Sequence, residues 1–185
     1  IFFVINDKQF DETYPVLSKI LNLRICKRYN DSKCRKVSCC NQMWSYILSQ
    51  FGKYAHGKLI PEWVHDAPKH LIKEFINGYM KADGYLRKDG SHRITTVSYN
   101  LAFGLQRLYL KLGHIFSINY TKRPPTHIIE GRTVNQRNTY QIEGWLKKTK
   151  KQSSFIENNY AWFAPFKIDK EKLEKEIIVY NFEVE

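Results

Sequence analysis

The chain has 185 residues, with 30 Lys and Arg against 18 Asp and Glu, a formal net charge of +12 and a pI near 9.5. No apolar run is long enough to span a bilayer and no signal peptide is recognisable, which excludes a helical membrane span and sets an intracellular expectation, cytoplasm or nucleus. With 43% hydrophobic residues the chain can bury a core, and its basic excess predicts a phosphate-bearing partner held by salt-sensitive attraction.

In chain order, Ile1 to Ile5 predicts an apolar strand. Phe10 to Leu21 predicts a helix buried through Tyr14, Leu17 and Leu21, with Pro15 in its interior or marking a late start. Residues 23–40 predict two strands around the turn Asn30-Asp-Ser-Lys33. Asn41 to Phe51 reads as a second helix, with Trp44, Ile47, Leu48 and Phe51 at helical spacing. Pro68 can start a third, since a missing N–H is harmless in the first turn, and Leu71, Ile72, Phe75 and Tyr79 give it an apolar face. On another side Gly78 and Ala82 lie four apart, where lack of bulk lets a second helix approach. Gly84 stops the helix and turns the chain into a strand, so Asp83 presents its carboxylate at the helix end.

A strand over Arg93 to Ser98 follows, then a helix lined by Leu101, Leu105, Leu108, Tyr109 and Leu112. Ile115 to Thr121 reads as a strand that Pro124-Pro125 stops, and a polar hairpin region leads to a strand near Thr139 to Trp145. Ile168 to Lys175 reads as a helix and Ile177 to Val184 as a strand. The second half thus repeats the order of the first, Phe10 to Leu21 corresponding to Ala102 to Gly113. Cys26, Cys34, Cys39 and Cys40 contain no C-x2-C pair, which favours reduced cysteines over a zinc knot or a disulfide framework. The dense aromatics Tyr160, Trp162, Phe163 and Phe166 read as core ahead of a base-stacking platform.

The segment Ile76-Asn-Gly-Tyr-Met-Lys-Ala-Asp-Gly84 resembles the signature helix of the LAGLIDADG homing endonucleases, the DNA-cutting domains carried by inteins and mobile introns. Lys81 departs from it where the family name has an acid. Three further segments are similar to the family in the same order. Lys58-Leu-Ile-Pro-Glu-Trp-Val64 looks like the lysine and Ile-Pro pair before a second signature helix. Thr96-Val-Ser-Tyr-Asn-Leu-Ala102, with Leu105-Gln106 and Leu112-Gly113, looks like the strand and helix after it. Val179-Tyr-Asn-Phe-Glu-Val-Glu185 looks like the strand leading into the splicing block of an intein.

The resemblance implies an α+β fold, a curved antiparallel sheet backed by helices, in two pseudo-symmetric halves of which the first is incomplete. The expected division is 1–67 as the remainder of a first repeat, 68–176 as the second repeat and 177–185 as a strand returning to a splicing domain. It implies a Mg²⁺-dependent endonuclease making a double-strand cut in a long DNA target, embedded in an intein. The alternative is a non-catalytic nucleic-acid-binding or structural remnant of that fold. Asp83 is the expected catalytic carboxylate and metal ligand, since Mg²⁺ prefers oxygen ligands, typically carboxylates with substrate phosphate. By itself Asp83 also suits a turn before glycine. Lys58 is the second catalytic candidate, a cation beside developing phosphate charge, against the reading of an exposed loop lysine. The partner carboxylate belongs to a first signature helix upstream of Ile1, so the fragment alone is expected to be inactive and to associate weakly through residues 71–83.

DNA contact is expected from the polar face of the strands. Tyr85 and Arg87 leave the signature helix on alternate positions and share a face. His92 or Arg93, and Thr96 or Ser98, belong to the next strand with the parity open. Lys122 and Arg123, then Arg132, Asn135, Gln136 and Arg137, complete the candidate set, in which Arg suits guanine and Asn or Gln suits adenine. The run Lys147-Lys-Thr-Lys-Lys151 reads as a phosphate contact or a solvated loop.

Overall fold

The computed structural model describes residues 2–26, 33–147, 154–158 and 160–163. The expected turn at 30–33 (Lys33 excepted), most of the 147–151 run, Phe166, the helix at 168–175 and the strand at 177–184 lie outside the described residues.

The chain opens with strand β1 (Phe2–Asn6), helix α1 (Asp7–Leu21) and strands β2 (Arg24–Ile25) and β3 (Cys34–Ser38). The Asn6 side chain accepts from the Lys8 N–H and starts α1 three residues earlier than the apolar pattern predicts, and Pro15 is accommodated inside the helix. Strand β3 pairs antiparallel with both β1 and β2, giving the order β1-β3-β2. Ile5, Phe10, Leu21, Leu23, Val37 and Cys39 form its core, with Tyr14 and Leu17 at the margin.

Helix α2 (Gln42–Ser49) is capped by Asn41 and buries no residue completely. A loop then returns on itself, with the Leu59 N–H donating to the Phe51 carbonyl at 3.0 Å. Gly52 makes that closure: its φ is +82°, and a Cβ there would lie 1.9 Å from the Gly57 carbonyl oxygen. The short helix α3 (Glu62–His65), not anticipated from periodicity, carries Val64 into the main core.

Helix α4 (Lys69–Asp83) holds the signature segment. It buries Ile72 and Ile76, with Phe75 and Tyr79 half-buried, whereas Leu71 is exposed, a correction to the predicted apolar face. Strands β4 (Gly84–Leu86) and β5 (Ser91–Thr96) follow, then helix α5 (Tyr99–Lys111) and strand β6 (Phe116–Thr121). A two-stranded arm, β7 (Thr126–Ile129) and β8 (Arg132–Asn135), precedes β9 (Thr139–Trp145), and the pair β10 (Phe155–Glu157) and β11 (Tyr160–Trp162) comes last.

The main sheet has the order β4-β5-β9-β6 with every neighbouring pair antiparallel. The two sheets share a topology: strand, helix, strand, then a later strand inserted between the first two, as β3 lies between β1 and β2 and β9 between β5 and β6. One face of the main sheet, through Ile94, Ile142 and Phe116, packs on α4 and on Leu101, Ala102, Leu105, Leu108 and Tyr109 of α5. Tyr109 stacks on Phe116 at 3.6 Å between ring centroids. Tyr160, Trp162 and Phe163 are exposed, at 69%, 52% and 62%, so the expectation that they are core does not hold for them.

Candidate nucleic-acid interface and active site

Asp83 is the last residue of α4. A helix C-terminus carries partial negative charge, so a carboxylate there costs stability that a lysine would gain. The Asp83 carboxylate is exposed, and no hydrogen bond or ion pair ties this side chain to another described residue. Gly84, which follows, has an ordinary φ of −90°. The stop therefore needs no left-handed backbone, and the glycine serves a close approach instead. A Cβ would fall 2.6 Å from the Met80 Cα and 2.5 Å from its sulfur, so only glycine lets β4 leave the helix so closely.

Lys58 and Asp83 line one open cavity of about 330 Å³, together with Tyr79, Thr95, Thr96 and Thr139. Lys58 is held through its backbone. Its carbonyl accepts from the Ser98 Oγ at 2.5 Å, and the same oxygen accepts from the Leu101 N–H at 3.2 Å, capping α5. Burial, and then the negative charge of Asp83, push the Tyr79 phenol up to about 12, so it stays protonated in the cavity.

The register of β5 and β9 settles which side chains share the open face of the sheet. Ile94 and Ile142 face each other inward, so Arg93, opposite Glu143 and Tyr85, and Thr95, opposite Gln141, point outward. On β6, Ser117 and Asn119 continue those two rows, opposite Glu143 and Gln141. Thr96 falls on the helix-facing parity, where its Oγ1 accepts from the Ser98 N–H. Ser98, 1% exposed and committed as a helix cap, cannot meet a groove, which corrects its expected role. Thr95, Ser117, Asn119, Thr139, Gln141 and Glu143 were missed by sequence reasoning. Alternation around Ile94 and Ile142 was the signal available for them.

Arg87 joins Arg93 on this face. The Arg87 Nη1 donates to one oxygen of Glu143 at 2.6 Å, and the Arg93 Nη2 lies 2.9 Å from the other. Burial pushes the Glu143 carboxyl up, but the hydrogen bonds from Arg87 and Arg93 outweigh it and hold it below the usual range. Beyond β6, Arg123, Gln136 and Arg137 line a polar cavity of about 450 Å³ with Asn138 and Tyr140 at the root of the β7–β8 arm. The Asn138 Oδ1 accepts from the Arg123 backbone N–H at 3.0 Å. Lys122, Arg132 and Asn135 are exposed, the latter two along the arm and away from Asp83's cavity.

Among the described residues no three His, Cys, Asp or Glu side chains converge on a point, and none of the four cysteines is in a disulfide. Asp83 fits a divalent ion held mainly by phosphate and water, for which one carboxylate suffices as the protein's share. It does not fit a cage built by these residues alone.

Residues 70–145, from α4 to the end of β9, match the profile of the LAGLIDADG-like domain. That match spans less than half of the chain and holds the signature helix, the main sheet and the arm. The α+β arrangement, helices backing an antiparallel sheet, matches the homing-endonuclease fold of that name. Two solved structures are similar to the chain at 16% identity, each over 79% of this chain and 73% of the other. One is a study of mesophilic variants of the homing endonuclease I-DmoI, with a TM-score of 0.49; the second is I-DmoI in complex with DNA and Mn, at 0.47. The LAGLIDADG-like segment contains Asp83, both Glu143-bound arginines and the β7–β8 arm, while Lys58 lies before it.

Proposed function

We propose that this chain is part of a homing endonuclease that binds duplex DNA on the open face of its main sheet and contributes Asp83 to Mg²⁺-dependent cleavage. One observation carries the reading: a carboxylate with no ion-pair partner among the described residues, placed against its helix dipole, shares a cavity with a lysine beside a polar, arginine-bearing sheet. The open face would lie along the major groove, with Tyr85, Arg87, Arg93 and Thr95 toward base edges and Lys122, Arg123, Arg132, Asn135, Gln136 and Arg137 toward more distant bases and phosphates.

Mg²⁺ bound by Asp83 and a scissile phosphate would neutralise phosphate charge and make bound water more acidic. Lys58 adds a fixed cation to the same cavity, and protonated Tyr79 offers a hydrogen-bond donor there. A second helix seated on the open Gly78 and Ala82 side of α4 would supply a second carboxylate, from the parent chain or from another copy. Embedding in a protein-splicing intein rests on the resemblance of Val179 to Glu185 to the strand that leads into a splicing block, and a DNA target fits an intracellular place. The non-catalytic reading is favoured by a different observation: Asp83 is the one carboxylate among the described residues lining that cavity, so the carboxylate for the second strand must come from outside them.

Asp83→Asn in the parent protein keeps shape and removes the charge. The expected outcome is loss of double-strand cleavage in Mg²⁺ with duplex binding retained. Lys58→Ala should slow cleavage by about 10²-fold, as loss of one charge-stabilising donor does. Normal cutting by Asp83→Asn would return Asp83 to a helix-end residue. Tight binding without cleavage by the unmodified parent would establish the non-catalytic reading.

A further inference from the structure

Glu143 is the one carboxylate carried by the strands of the main sheet, on the inner strand β9, while Asp89 in the β4–β5 turn adds negative charge near Arg87 without a hydrogen bond to it. The Glu143 side chain is 13% exposed, while those of Arg87 and Arg93 are 40% and 34% exposed. Each carboxylate oxygen serves a different arginine, and the Gln141 Nε2 donates to the second oxygen at 3.0 Å. The Arg93 Nε also donates to that second oxygen, at 3.1 Å, so this guanidinium is gripped through two nitrogens. Arginine has five N–H donors in a rigid fork, so donors remain on both groups for an outside acceptor.

A negative charge at the middle of a surface that meets phosphates opposes affinity, and burying it costs desolvation. Its geometry offers something else. It fixes two long, otherwise mobile side chains before any ligand arrives, which removes an ordering cost from binding. It also makes a displaced arginine unfavourable, because the carboxylate would lose its partner. Resting on the DNA-binding reading above, we infer that Glu143 is a specificity-determining positioning residue. It pre-aims the Arg87 and Arg93 forks, and Gln141 beside them, at adjacent base edges, and gives up affinity to do so.

The test is selection of bound sequences from a randomised duplex library by the 185-residue chain and by Glu143→Gln, with salt titrations on one fixed random-sequence duplex. The expected result is that Glu143→Gln binds the fixed duplex more tightly, while its preference at the two or three base pairs beneath Arg87 and Arg93 falls by about fivefold or more. Melting curves accompany both proteins. If Glu143→Gln does not fold, the variant Arg87→Lys with Arg93→Lys keeps the charge balance and removes the forks. It should lose the same base preference with an unchanged salt slope. An unaltered sequence preference in whichever variant folds overturns the inference alone. No sequence preference in the unmodified chain overturns it together with the DNA-reading face.

Discussion

Ser98 shows how a residue far from any reaction can set its geometry. One hydroxyl donates to the Lys58 carbonyl and accepts from the first turn of α5, so it joins the loop carrying the candidate lysine to the helix behind the sheet. Ser98→Ala removes a cap and leaves a carbonyl without its donor. The expected loss is about 1–2 kcal/mol in urea unfolding. In the parent protein, cleavage should slow while duplex affinity is kept, since Lys58 is loosened and the sheet face is untouched. Unchanged stability would mean that water replaces the hydroxyl and that the link positions nothing. Residue identity alone could not separate Thr95 from Thr96 or a groove-facing Ser98 from a cap. Those roles depend on which parity Ile94 takes, and that is fixed by pairing with β9.

At the scale of the element, α4 has two sides with opposite demands. Ile72 and Ile76 are buried against α5 and the sheet, while a Cβ at Gly78 would meet nothing within 4 Å. Glycine inside a helix costs backbone entropy with no packing return here. Gly78→Ala should therefore stabilise the isolated chain by about 0.5–1 kcal/mol. Gly78→Arg should leave its fold intact and abolish any self-association through residues 71–83. Sedimentation with thermal melting of both variants checks this. A Gly78→Arg chain that fails to fold would show that the side is packed, and persistent association would place the contact elsewhere. The spacing of Gly78 and Ala82 made this side visible in the sequence. The turn at Gly84 was legible as a stop but for the wrong reason, because the close approach of Met80 is a three-dimensional fact.

For the molecule as a whole, three histidines make the main domain sensitive to acid. Burial lowers the proton affinity of His65, His92 and His114; the charges of Arg107 and His114 add to it at His65 and His92 respectively. The His92 Nδ1 meets the buried Tyr109 hydroxyl at 3.0 Å, and the His65 Nδ1 is buried with no hydrogen-bond partner among the described residues. Each group binds protons less readily folded than unfolded. Their contribution is complete above the unfolded value of about 6.5 and is lost as pH falls below it. Melting temperature should drop between pH 7.5 and pH 5. His92→Asn, which keeps a polar atom toward Tyr109, should flatten that profile. A melting temperature independent of pH would show that the histidines exchange protons without cost to the fold.

The sequence by itself determined the order of the longer elements, the helical face of α5, the signature helix ending at Asp83 and the basic excess of the chain. Those follow from local rules, since periodicity, caps and charge act over a few residues. Only the tertiary structure decided that Lys58 and Asp83 share a cavity across 25 positions of chain, and that Glu143 clamps two of the arginines expected to contact DNA. It also inserted β9 between β5 and β6, which chose the outward parity of every strand it touches. Register joins residues about 50 positions apart through backbone pairing. No local pattern encodes which of two alternating faces will meet the helices until those pairings form.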